Sequence, residues 1–335
     1  MKKLSFLLSF LFLSVTFTYA QEDTTSASER ARKYLMAGDF NNAILILNRA
    51  ITEKPEDIQL KKDLAFAYYH QRNFSRALEI IRPVTEGSAA DVQSYQILGL
   101  IYSGIEEDKE SEKMYRNALK KFPESGPLYN ELGELLWKKK NFANAAAMWE
   151  KGIETDPNFS GNYYNAAKYH YFTADKVWGL IYGEIFINLE SISTRTPEIK
   201  TLLLDGYKKL FSDPVVSKGQ NTKNEFTQAY LNTMQKQSGL VANGVTIESL
   251  TALRTRFILD WFAGEGQRFP FRLFDLHQQL LKEGLFEAYN QWIFSSANDL
   301  ADFQRWTSAN AEVYSRFSTL QKQRVFKIPS NQYYK

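Results

Sequence analysis

The sequence has no cysteine in 335 residues. That excludes a disulfide framework, a thiol nucleophile and any zinc site built on thiolates. Histidine is almost as scarce, with only His70, His170 and His277. No two of them stand at the spacing of a helical metal pair, so all three read as surface or packing positions. There is no Gly-x-Ser-x-Gly elbow, no phosphate-binding loop and no Gly-x-Gly-x-x-Gly. Glu106, Glu107 and Asp108 make an acidic run without the oxygen-ligand spacing of a calcium loop. An excess of one charge is missing as well, because 41 Lys and Arg face 38 Asp and Glu. No basic stripe points to nucleic acid. Neither a metal nor a cofactor is expected.

Long apolar runs are absent except at the start. Lys2 and Lys3 precede an apolar stretch from Leu4 to Phe17, and Thr18-Tyr19-Ala20 ends on a small residue. This pattern predicts a cleavable secretory signal over residues 1–20, with Gln21 as the new N-terminus. The run is too short to span a bilayer comfortably, which takes about 20 residues. No transmembrane segment is expected after cleavage, and no cysteine is available at that point for lipid attachment. The expected address is the periplasm, with the extracellular space as the alternative. Such a chain has to be held together by packing alone.

What is present is a period. Residues 124–157, ESGPLYNELGELLWKKKNFANAAAMWEKGIETDP, read as two helical segments with a tight turn at Lys140-Asn141. A Phe marks such a turn at Phe40, Phe74 and Phe142, and the spacing is 34 residues or twice that. The unit between them has its turn at Glu107-Asp108 and keeps the period through Tyr95, Leu98, Gly99, Tyr102, Ala118 and Pro123. Small residues recur at the same spacing, at Ala31, Ala65, Gly99 and Gly133. A large residue follows three positions later, at Tyr34, Tyr68, Tyr102 and Leu136. Small residues let helix backbones approach, and proline (Pro55, Pro123, Pro157) fixes where the second helix stops. One helical hairpin cannot bury its own apolar face, so several must stack.

This pattern resembles the tetratricopeptide repeat family over about half of the chain. The expected fold is all-α: a solenoid over residues 21–193, with repeats at 24–57, 58–91, 92–125 and 126–159 and a degenerate one at 160–193. A helical C-terminal domain is expected over 194–335. In the degenerate repeat, Gly179 and Gly183 interrupt an apolar helix that reads as buried. Further helices are predicted at 194–212, 225–237, 246–262, 271–283, 286–297 and 299–323. Gly284 and Phe286 imitate the repeat turn at Gly38 and Phe40. The tail after Lys327 reads as loosely held.

The resemblance implies a concave groove, lined by the first helix of each repeat, that takes an extended peptide or a partner helix. Carried over by register, the candidate lining is Lys62, Phe66 and Tyr69, then Gln93, Gln96 and Leu100. It continues through Asn130, Glu134 and Trp137 to Tyr164, Asn165, Lys168 and Tyr171. Only Lys62 and Lys168 could join a clamp for a peptide carboxylate. Trp137 decides whether this groove is an open site or a junction with the C-terminal helices. The function read from these features is an exported, non-enzymatic scaffold for protein partners in the cell envelope. The alternative is a glycan- or peptidoglycan-associated protein that uses the dense C-terminal aromatics, with Phe269-Pro270-Phe271 as an exposed platform. A third reading makes Glu283 and Glu287 an acid–base pair for sugar hydrolysis.

Overall fold

The computed structural model describes residues 26–335; the candidate signal segment, residues 1–20, lies outside the described residues. The described residues are helical and contain no strand. The chain divides into two compact units, Met1–Ile80 and Ile81–Lys335.

The first unit contains α1 (Ala27–Met36), α2 (Phe40–Glu53), α3 (Ile58–His70) and the start of α4 (Phe74–Glu86). Ser26 and Glu29 form a reciprocal capping box on α1, and Asp39 and Asp57 cap α2 and α3. Each cap satisfies backbone N–H groups that the first turn leaves without partners. Ala31, Ala43, Leu47, Leu60, Leu64 and Ala67 form the core.

The second unit continues the repeats. They are α5 (Val92–Gly104) with α6 (Asp108–Lys121), α7 (Gly126–Lys138) with α8 (Phe142–Thr155), and α9 (Ser160–Tyr171) with α10 (Lys176–Leu189). The helix starts at 58, 92, 126 and 160, and again at 40, 74, 108, 142 and 176, hold the 34-residue period through the degenerate repeat. Small and large residues are matched across each hairpin. A Cβ on Gly99 would lie 1.8 Å from the Tyr115 hydroxyl, and one on Gly133 would lie 2.2 Å from the Trp149 indole nitrogen. In the first repeat the same two positions hold Ala31 and Leu47, a larger small residue against a smaller large one. The sum of volumes is kept, as close packing requires.

The turns also repeat. Gly38, Arg72, Glu106 and Lys140 have φ of 75°, 59°, 60° and 60°. The backbone N–H that follows each one bonds back into the last turn of the helix, as in Asp39 to Tyr34, Asn73 to Tyr68, Glu107 to Tyr102 and Asn141 to Leu136. This is the Schellman ending of a helix. Left-handed backbone costs an ordinary L-residue roughly 1–2 kcal/mol, and glycine avoids that at a smaller entropic cost. Lys140→Gly is therefore expected to stabilise by about 0.5–1 kcal/mol, read as a higher urea midpoint with an unchanged slope. Gly284 has φ 69° and Leu285 bonds back to Leu280, so the expected imitation of the repeat turn is present.

Helix α11 (Thr196–Leu210) packs on α10, which is buried on all sides from Val177 to Asn188. α12 (Glu225–Gln235), α13 (Ile247–Ala263) and α14 (Arg272–Lys282) follow. Phe286–Asn290 continues as a π-turn over Gln291–Ser295. The helix expected at 299–323 is two helices, Leu300–Ala309 and Ala311–Gln323, parted at Asn310.

Aromatic rings fill the middle of this half. Phe226 stacks on Trp178, Phe274 and Tyr334 and meets Trp261, Phe269 and Phe271 edge-on. The exposed Phe269-Pro270-Phe271 platform is thereby corrected: Phe269 is 8% exposed and Phe271 3%. These rings face one another, so they present no stacking surface for a sugar.

The tail is also corrected, because residues 324–335 are docked. Ile328 donates its N–H to Asn158 at 2.9 Å and accepts from the Asn158 amide at 3.2 Å. The Tyr334 hydroxyl donates to the Pro270 carbonyl at 2.6 Å. Lys335 sits 2.9 Å from Asp175 and 3.3 Å from Glu150.

Candidate functional site

The candidate lining falls in both units. In the first, α3 carries Lys62, Phe66 and Tyr69. Lys62 is only 4% exposed, so its charge is not offered to a ligand. Phe66 and Tyr69 pack around His70, with centroids 4.4 and 5.2 Å from its ring. In the second unit the first helices of three repeats, α5, α7 and α9, carry the remaining positions, and α11 extends the row.

On α5, Gln93 is exposed and Gln96 donates to Glu131 of α7 at 3.3 Å. Burial pushes the Glu131 carboxyl up to about 7, and the Glu134 charge adds to the shift against bonds from Gln96 and Tyr115. Asn130 is buried and donates to Glu134 at 2.9 Å. Asn165 of α9 donates to both Asn130 (2.9 Å) and Glu134 (3.1 Å). An amide–carboxylate network thus links α5, α7 and α9 and fixes its side chains in place.

Further along, the Tyr164 hydroxyl bonds Glu198 on α11, and Lys168 lies 3.1 Å from that hydroxyl and 2.7 Å from Glu198. Two turns on, Tyr171 bonds Asp205 and accepts from Lys209. Both Tyr–acid pairs are 34 residues apart, so α11 stands where the first helix of a sixth repeat would stand. The sequence predicts a helix here but the lining register was not carried onto it, because Thr201 stands where the motif's small residue would be; the preserved spacing was the available signal. Lys168 is engaged with Glu198 and Lys62 is buried, so the two cations do not form a carboxylate clamp. A cleft of about 500 Å³ lies beside Lys168, Tyr171, Glu198, Leu202 and Asp205.

Trp137, at the end of α7, is 42% exposed. Its ring meets Phe142 at 4.6 Å, Trp149 at 5.8 Å and Tyr169 at 6.4 Å. All three belong to the fourth and fifth repeats. Its ring partners therefore lie outside the C-terminal helices. Tyr171, by contrast, does meet α11.

Glu283 and Glu287 do not converge on a common point. Glu283 accepts from Gln279 at 2.9 Å, and Glu287 accepts from the Trp306 indole at 3.1 Å. Both are occupied as helix-surface carboxylates. Among the described residues no group of three or more His, Asp or Glu could hold a metal ion, and no helix is long and apolar enough to cross a membrane.

An ionic cluster that sequence reading missed joins α10 to the C-terminal helices. Glu184 of α10 pairs with Arg254 of α13, lies 2.8 Å from His277 of α14, and accepts from the Tyr289 hydroxyl at 2.9 Å. Asn290 accepts from Arg254, and Asn188 donates to Tyr289 at 2.7 Å. Burial alone would raise the Glu184 carboxyl, but Arg254 and His277 outweigh it and hold it well below the usual range. Burial lowers His277 against the opposing pull of Glu184, so the imidazole stays neutral at neutral pH.

Family models described as tetratricopeptide repeat match residues 34–98 and 126–159. Tetratricopeptide repeat protein 21B of Mus musculus is 28% identical over 122 residues, which is 36% of this chain. The match spans only 9% of that relative's length. Among solved structures, a thermophilic tetratricopeptide protein of Thermus thermophilus aligns over 54% of this chain and 97% of its own. Its TM-score is 0.44 at 12% identity. The structure of MamA AMB-1 aligns over 50% of this chain and 92% of its own, with a TM-score of 0.35 at 16% identity.

Proposed function

Because this chain belongs to the tetratricopeptide repeat family, we propose that it is a non-enzymatic scaffold whose α5–α7–α9–α11 face receives a protein or peptide partner. The family fold generally mediates protein–protein interaction. The observation that carries the reading is Trp137, a large ring 42% exposed at the edge of an ordered row of amides, carboxylates and tyrosines. Exposed aromatics of this kind usually supply most of an interface's binding energy. The polar row beside it is already held by mutual hydrogen bonds, so docking costs little additional ordering. We further place the protein in the cell envelope. Support for this is the basic–apolar–small pattern of residues 1–20.

The test is in-cell crosslinking followed by purification, with wild type and Trp137→Ala side by side. A stable protein partner should be recovered with wild type. Its affinity should fall by about 2 kcal/mol or more in the variant, with little change in melting temperature. A large loss of stability with unchanged partner recovery would make Trp137 a packing residue and remove the basis of the reading. Location is tested separately, by fractionation and N-terminal sequencing for a chain that starts at Gln21.

A further inference from the structure

The tail shows what the other face of the repeats can hold. The end of the tail lies between the second helices of the fourth and fifth repeats, α8 and α10, and is covered from the other side by α12 and the start of α14, where the Tyr334 carbonyl accepts from Asn224 at 2.6 Å and the Gln332 side chain accepts from the Arg272 N–H at 2.6 Å. Arg324 donates to Asn188 at 2.8 Å at one end. Tyr333 lies against Tyr182 and near Glu150 and Glu154. At the other end the Lys335 ammonium sits between Asp175 and Glu150, 5.8 Å from the Trp178 ring centroid. The segment runs along α10 with one turn at 330–331, closed by the Gln332 N–H on the Pro329 carbonyl, and holds the Lys335 ammonium in an acidic seat.

Two repeats earlier the same place is an open cleft of about 730 Å³. Its walls are the 81–86 part of α4 and the length of α6, and its floor is α5. By the 34-residue register, Arg82 stands where Glu150 stands in the filled cleft, Tyr95 where Tyr163 stands, and Met114 where Tyr182 stands. The floor keeps its aromatic, apolar character. The charge changes: Arg82 replaces Glu150, and Lys113, Lys120 and Lys121 line this cleft at positions that are uncharged in the filled one, while Glu86 keeps the acidic character of Glu154. Lys121 donates to the Tyr95 hydroxyl at 3.0 Å, Lys120 donates to Asn117 at 3.2 Å, and Arg82 lies over Tyr102. None of the four is in an ion pair among the described residues. Some neighbouring cations are paired, as in Arg116 with Glu112 and Lys138 with Asp108.

We propose that the α4–α6 cleft binds an extended acidic peptide segment of a partner protein, laid between the two helices as the chain's own tail is laid between α8 and α10. The site is separate from the Trp137 face and does not depend on it. The volume falls within the roughly 300–1,000 Å³ of ligand clefts. Carboxylates of the segment would take the unpaired cations, and its apolar side chains would cover Tyr95, Leu98 and Met114. Glu86 and Glu110 interrupt the cations along the cleft. They would oppose a continuous phosphate backbone but leave room for spaced carboxylates, which favours a peptide over a nucleic acid or a membrane.

The test uses two fluorescein-labelled decapeptides and the full chain, followed by anisotropy. One peptide is the tail sequence FKIPSNQYYK, and the other has glutamate at both lysine positions. The acidic peptide should bind at least tenfold more tightly than the tail peptide, and more weakly as salt rises. Arg82→Glu combined with Lys113→Glu should weaken it at least tenfold, whereas Trp137→Ala should leave it unchanged. Both cations are at the surface, and an unchanged melting temperature for the double variant confirms that it folds; the milder Arg82→Gln should give an intermediate loss. Equal binding of the two peptides, or binding indifferent to Arg82 and Lys113, overturns the proposal. So does a site that takes duplex DNA or phosphatidylglycerol vesicles through Arg82 and Lys113 and ignores the acidic peptide.

Discussion

Arg254→Met and Glu184→Gln should each cost about 3–5 kcal/mol of stability, because each leaves a buried partner without its counter-charge or its bond. Glu184, Arg254, His277 and Tyr289 come from four separate helices, and their polar atoms converge at one buried point. The pair is not itself a strong net source of stability, since two charges have been taken out of water. The loss arises from the uncompensated group that a single substitution strands. Combining Arg254→Met with Glu184→Gln should therefore cost clearly less than the two single losses added together. Urea unfolding followed by tryptophan fluorescence measures all three; additive losses would show that the two groups do not share one interaction. The pH dependence has a definite sign. His277 is lowered in the folded chain, so below the unfolded imidazole's value of about 6.5 the unfolded chain gains a proton that the folded one refuses. Stability is present above that pH and declines below it. Glu184 is also lowered, so its contribution is lost as pH falls from about 4.5 toward 2.

The repeats were legible because their physics is local. Gly133 against Trp149 and Gly99 against Tyr115 are matched within one hairpin, and the match recurs at a fixed spacing. The left-handed turns were legible only at Gly38 and Gly284. Arg72, Glu106 and Lys140 adopt the same backbone without a residue that advertises it, because the Schellman bonds and the stacked neighbours over-determine the turn. The Glu184–Arg254–His277 cluster left no trace in the sequence. Its members are 70 and 23 residues apart, and each alone looks like an ordinary helical residue. The tail misled for the opposite reason: FKIPSNQYYK has no period and reads as loose, yet Tyr334 and Lys335 find partners on elements far away in the chain. Phe269-Pro270-Phe271 looked like an exposed loop because a proline between two rings breaks periodicity, but Phe226 and Tyr334 enclose both rings. Of the candidate lining, Asn130, Glu134 and Asn165 fall within one connected network, with Tyr164 and Lys168 joined to Glu198 beside it. The register did not anticipate that Lys62 would be buried, because register fixes a helix face and not how deeply that face is covered. It also stopped one helix short, at Tyr171, although Asp205 waits one period further on.

Raising the pH from 7 toward 10 should stabilise this protein through Lys200, the reverse of what a lysine paired with a carboxylate does. Lys200 is only 8% exposed on α11. Its ammonium lies 3.9 Å from the Trp292 ring centroid and 3.3 Å from the Ser296 hydroxyl, with no carboxylate of the described residues in an ion pair with it. Burial lowers it from 10.5 to about 7. Below about 7 both the folded and the unfolded chain carry the proton, and the folded chain bears the full cost of a poorly solvated charge. Between about 7 and 10.5 the folded chain has released that proton while the unfolded chain keeps it, so the unfolded state binds more protons and stability rises with pH. The full span corresponds to on the order of 5 kcal/mol. The face of Trp292 favours the charged form and offsets part of this, by about 1–2 kcal/mol. Lys200→Met has similar length and no charge, so it should stabilise by about 3–4 kcal/mol at pH 7. The gain should shrink steadily toward pH 10, because the wild-type amine becomes neutral over the same range. Parallel thermal melts of both proteins at several pH values read this as a wild-type curve that rises to meet the variant's. A constant gap between the curves would mean that the folded chain holds the Lys200 proton as firmly as water does. Trp292 and Ser296 would then be solvating the ammonium, and the π-turn that carries Trp292 would be its counterpart on the facing segment.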